Sequence, residues 1–130
     1  MAYTIDTGIT STGNSVPADS PNFKVGRFTH DASLTATDYL LFECGFTPKH
    51  VTLLNITDRI RVEWFEGMAD DTCIKTAAAG TVTLETTNKG ITITDSTGTP
   101  SATGRCFCVS KNATLAVITA DDVHTWMAIG

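Results

Sequence analysis

The side chains in this chain that could do chemistry are three histidines, four cysteines and two acidic doublets. His30 stands next to Asp31, the pair that a general base and its orienting carboxylate would use. Such a pair must meet in space, and adjacent residues of a strand point to opposite faces, so no catalytic role is expected for it. His50 follows Pro48-Lys49 and reads as a solvent-exposed turn residue. Cys106 and Cys108 share one face of a strand, with Phe107 and Val109 on the other. Structural zinc sites use two ligand pairs at C-x₂₋₄-C spacing, and Cys44, Cys73, Cys106 and Cys108 supply neither. They are read as small buried apolar residues with reduced thiols. Asp70-Asp71 and Asp121-Asp122 lack the Gly and Glu positions of a calcium loop and read as solvated turns, with an ion held between subunits left open. No serine sits in a G-x-S-x-G elbow, and the glycines form neither a phosphate loop nor a dinucleotide fingerprint. The expectation is a non-enzyme with no catalytic, cofactor-binding or metal-ligating residue.

The positions of these residues depend on a body that composition makes β-rich. The chain has 130 residues, enough for one domain with a core of its own. It holds 24 threonines, a residue of strands and turns more than of helices. The formal net charge of −5, with Lys and Arg scattered singly, argues against nucleic acid as a partner. No apolar run approaches the roughly 20 residues of a membrane helix, and the polar first residues do not resemble a secretory signal. Asn55-Ile56-Thr57 and Asn112-Ala113-Thr114 match the glycosylation pattern and are read as chance.

Residues 1–22 are rich in Thr, Ser, Gly and Pro and too poor in apolar residues to form a core. They read as an extended N-terminal arm that orders on a neighbouring subunit, with Tyr3, Ile5 and Ile9 as its interface candidates. The domain proper runs from 23 to 130. Strands are expected over Phe23–Phe28, Tyr39–Cys44, Val51–Ile56, Arg59–Trp64, Arg105–Ser110, Thr114–Thr119 and Val123–Ile129. Cys73–Thr76 reads as a short edge strand. Gly80–Thr86 and Gly90–Thr94 read as a hairpin through Asn88-Lys89-Gly90. Asp95–Gly104 reads as a flexible loop. About eight short strands with regular turn signals suggest an all-β β-sandwich or jelly-roll-like barrel. Ile60, Val62 and Trp64 face inward by alternation, so Phe65 faces outward as a candidate for burial by a partner. Trp64, Phe65 and Trp126 could instead form a carbohydrate platform, though aromatic core packing is the commoner use of such residues. Loop residues Asp70 and Asp71 complete the interface candidates.

The run from Gly45-Phe46-Thr47-Pro48 through Val51, Asn55 and Thr57-Asp58 to Glu63-Trp64-Phe65-Glu66-Gly67-Met68, with Gly90-Ile91-Thr92-Ile93 and a final Trp126-Met127-Ala128-Ile129, resembles small β-rich virion structural proteins of tailed bacteriophages, of the capsid decoration or cement type. The resemblance covers residues 45–130 and leaves the arm aside. It implies a homo-oligomer, a trimer by preference, that binds the major capsid protein on the capsid exterior after synthesis in the host cytoplasm. A tail or head-fibre component involved in host attachment is the alternative it allows. It brings no catalytic residue.

Overall fold

The computed structural model of the protein describes residues 3–5, 9–12, 22–30 and 38–130. The expected strands 114–119 and 80–94 are where it departs most from the periodicity. Ten strands are present among the described residues: β1 (Ile9–Thr12), β2 (Phe23–His30), β3 (Tyr39–Glu43), β4 (His50–Asn55), β5 (Ile60–Phe65), β6 (Thr72–Thr76), β7 (Val82–Thr86), β8 (Ile91–Thr94), β9 (Cys106–Ser110) and β10 (His124–Ile129). All ten belong to one antiparallel sheet in the order β1-β2-β10-β4-β5-β6-β8-β9-β3, with β7 attached to β6. The all-β expectation holds, and the sheet curls into a half-barrel.

Alternation explains the curl. Phe28, Phe42, Val51, Leu53, Val62, Trp64, Ile91, Ile93, Phe107, Val109, Trp126 and Ala128 all point to the concave side and form one buried cluster. A sheet with one apolar face and no second layer must roll that face onto itself. The ends of the strand order therefore meet through side chains. Phe28 of β2 lies 5.1 Å from Phe42 of β3, ring centre to ring centre, and Phe42 lies 5.4 Å from Trp126 of β10. Lys24 Nζ adds a 2.9 Å hydrogen bond to the Glu43 carbonyl across the same seam.

Residues 112–119 are a buried turn and not the expected strand. Leu115, Val117 and Ile118 are all buried in the core cluster, which strict alternation forbids. Ala116 at φ 63° breaks the extended path between them. Asn112 starts the turn, its side-chain oxygen accepting from Thr114 N at 2.8 Å and its carbonyl from Ala116 N at 3.0 Å. The segment spans the mouth of the curl from Lys75, which bonds the Thr114 carbonyl, to His124, which accepts from Thr119 N.

The expected β7–β8 hairpin is also absent. β7 pairs along its length with β6, while β8 pairs with β9 and touches β6 only at Thr72 opposite Ile91. All four residues of β8 are buried and need an apolar neighbour, which Cys106–Val109 provide; β7 is mostly exposed. Thr87 and Asn88, at φ 47° and 62°, turn the chain out of a tight hairpin. β6 is thereby an interior strand, flanked by β5 and β7, and not an edge.

The convex side of β8–β9–β3 is covered as well. The 95–104 loop lies across it, with Ser101 N bonded to the Ile93 carbonyl at 3.0 Å and Pro100 bridged to Thr94. This loop is tied: Asp95 Oδ1 accepts from Thr97 Oγ1, Thr97 N and Thr99 N, which hold its carboxyl below the usual range. Residues 3–5 lie beside it, Tyr3 N bonding the Gly98 carbonyl and Tyr39 N the Thr4 carbonyl, both at 3.1 Å. A side chain at Gly98 would come within 2.9 Å of Ile5, and its φ of +82° suits glycine.

Candidate interaction surface

The residues with chemical potential are spent on structure. All four cysteines are free and buried. Burial pushes the thiols of Cys44 and Cys73 up to about 12 and that of Cys108 to about 11, and raises Cys106 as well. Such thiols are poor nucleophiles and poor ligands. Among the described residues no three His, Cys, Asp or Glu side chains converge as a metal site. His30 is buried, and Asp31 lies outside the described residues. His124 is buried against Phe28, rings stacked at 4.6 Å, and burial lowers its basicity. Its Nε2 accepts from Thr119 N at 3.2 Å, and Asn55 beside it donates to Asp122 at 3.0 Å. These contacts knit the 119–123 turn to the sheet end.

The interface candidates fall into three groups. Tyr3 and Ile5 lie on the chain's own body: the Tyr3 ring stacks on Tyr39 at 4.0 Å, its hydroxyl pairs with Thr92 Oγ1 at 3.0 Å, and Ile5 bridges to Tyr39. The reason is that Tyr39, Thr92 and Cys108 form a convex patch that would otherwise be wet. Ile9 belongs to β1, whose backbone pairs with β2 opposite His30. Asp71 is a knot in the interior of a turn. It sits at φ 58°, accepts from the Tyr39 hydroxyl at 2.6 Å and from Asn88 N at 2.5 Å, and donates its own N–H to Thr92. Asp70 is exposed on the rim of a cleft of about 330 Å³ that also includes Pro48, Trp64, Glu66, Met68 and Pro100. Trp64 is only 6 % exposed there, its indole N–H aimed at the Ala69 carbonyl, so it packs and offers no sugar platform. Trp126 is likewise a core residue.

Phe65 is 42 % exposed on the convex face, as its alternation with Trp64 requires. Strand register shows what surrounds it. One row across the sheet reads Phe23, Ile129, His50, Phe65. The next reads Val25, Met127, Thr52, Glu63, Ile74, Leu84. The third reads Arg27, Thr125, Leu54, Arg61, Thr76, Val82. His50 is thus the first residue of β4 and not an exposed turn residue; its ring stacks on Phe65 at 4.3 Å, and its Nε2 lies 3.1 Å from Thr52 Oγ1 and 3.5 Å from Glu63. Arg61 Nε pairs with Glu63 at 3.0 Å.

Eight large apolar side chains are exposed among the described residues, and six of them are on this face: Phe23, Val25, Phe65, Val82, Leu84 and Ile129. A groove of about 570 Å³ runs along the same face between Val25, Arg27, Leu54, Arg61, Thr125 and Met127. Concentration of exposed apolar groups on one side of a small protein marks an interaction surface. Sequence reasoning found Phe65 and missed the others. Their signal is the apolar residues on both faces of β10 and the Phe-x-Val start of β2, which alternation alone leaves divided between core and surface. Comparison with family models, curated proteins and solved structures found no match to this chain.

Proposed function

We propose that the protein is a bacteriophage virion structural protein that decorates the capsid, docking its convex face on the major capsid protein and working without catalysis. The observation that carries this reading is the exposure of Phe23, Val25, Phe65 and Ile129 on the convex face of β2–β10–β4–β5, which also bears a groove lined by Val25 and Met127, while every thiol and two of the three imidazoles are buried. The likeness of residues 45–130 to small virion proteins supports the choice of partner. A rigid half-barrel with one adhesive side suits attachment to a repeating lattice, where modest contacts add up over many copies. Arg27 and Arg61 flank the groove, so the matching capsid surface carries carboxylates beside apolar residues.

The test is co-sedimentation of the purified protein with capsids assembled from the cognate major capsid protein. Wild type pellets with the capsids, and Val25→Asp combined with Phe65→Asp weakens binding by more than about tenfold, as loss of central apolar contacts does. Both substituted side chains are partly exposed, so circular dichroism stays native. Failure of wild type to pellet defeats the decoration role; undiminished binding by the double variant defeats the choice of face.

A further inference from the structure

Among the described residues, β7 is an open edge. Among the described strands it pairs only with β6, so the other side of Val82–Thr86 presents every second N–H and C=O to solvent. Val82 is 63 % exposed and Leu84 66 %, the highest values among the large apolar residues described, and both point to the convex face beside Ile74. Folded proteins blunt such edges with proline, lysine, a bulge or a covering segment. Val-Thr-Leu-Glu-Thr has no proline, lysine or bulge and, among the described residues, no cover; its one charge, Glu85, is already paired with Lys89, and its residue types favour an extended strand. At the terminal strand β3, by contrast, residues 4 and 5 pair with its first residue, Tyr39.

We propose that β7 forms an antiparallel ladder with β7 of a second copy of this chain, about a twofold axis centred on Thr83. The strand is self-complementary in that register. Val82 faces Leu84 of the second copy and Leu84 faces its Val82, so both exposed apolar side chains on each copy meet an apolar partner on the same face. Thr83 faces its own counterpart, and threonine pairs are favourable across strands. The only charge, Glu85, faces the Thr81 hydroxyl of the second copy and no carboxylate. Glu85 is already answered within its own chain by Lys89 Nζ at 3.5 Å and by the Thr83 hydroxyl at 3.2 Å. A twofold contact is isologous, so this one register covers both exposed apolar side chains of each copy at once. The contact replaces the threefold symmetry implied by resemblance, and it stands independently of what the convex groove binds.

Sedimentation velocity over a wide concentration range is the primary test. A reversible monomer–dimer equilibrium is expected, weakened more than tenfold by Leu84→Lys and left unchanged by Ile56→Lys, an exposed site distant from β7. Register is tested by Thr83→Cys, which places two thiols opposite each other at a spacing a disulfide accepts. Because the native thiols are buried, mild oxidation of Thr83→Cys gives a covalent dimer on a non-reducing gel, while Glu85→Cys does not. A monomer at all concentrations, a trimer mass, a dimer insensitive to Leu84→Lys, or failure of Thr83→Cys to cross-link overturns the proposal.

Discussion

Tyr39 and Asp71 are 32 residues apart in the chain and 2.6 Å apart at their polar atoms. Burial and the bond to Asp71 both raise the phenol above its ordinary range, so it stays a donor under all ordinary conditions. The carboxylate also holds Asn88 N, in the turn that sends β7 away from β8. Hydrogen bonds to charged groups contribute about 1.5–3 kcal/mol each, so Tyr39→Phe lowers stability by that order. Asp71→Ala costs more, because two donors lose their acceptor and a left-handed residue loses a side chain that tolerates the conformation. Urea midpoints check both, and exposed Asp70→Asn, with an effect within about 0.5 kcal/mol, is the control. Composition could nominate the acidic doublet but could not divide it. Asp70 and Asp71 look alike in sequence and differ only in which backbone angle turns one of them inward.

Strands whose two faces have different environments were legible from alternation. Ile60, Val62 and Trp64 against Arg61, Glu63 and Phe65 need one buried and one wet side, and β5 has both. Segments whose neighbours decide burial were not legible. β8 and β9 are buried on both faces because the 95–104 loop and residues 3–5 cover their convex side. Leu115, Val117 and Ile118 read as half a strand, yet a core open at its mouth favours three closely spaced apolar residues folded into a plug. The arm shows the same dependence. Its Tyr3 and Ile5 belong to the body, so removing residues 2–12 strips the cover from Tyr39, Thr92 and Cys108. Deletion is therefore expected to lower the urea midpoint and to quicken alkylation of Cys108, read by mass spectrometry, with Cys73 on the far side unaffected at short times. A full-length labelling pattern in the deleted chain would show that residues 3–5 contribute no cover.

At the scale of the molecule, stability depends on pH through the buried imidazole of His124. Its basicity in the fold lies below the ordinary value of about 6.5 because burial disfavours the cation. The unfolded chain therefore takes up a proton there first. The contribution is complete above about pH 6.5 and is lost as pH falls toward the depressed folded value, since protons then favour unfolding. The urea midpoint should fall between pH 7 and pH 5, and His124→Gln, which keeps an acceptor for Thr119 N, should flatten that fall. A midpoint with the same slope in both proteins would place the sensitivity elsewhere.

β10 also has a temporal consequence. It follows β2 and β4 in sequence yet lies between them, pairing six residues with each. During synthesis, β2 and β4 emerge early and find no ladder between them until His124–Ile129 has been made. Each can pair on its other side, β2 with β1 and β4 with β5, but the edges that face β10 stay open while some seventy further residues are added, a stage at which an acidic surplus that makes chains repel one another favours solubility.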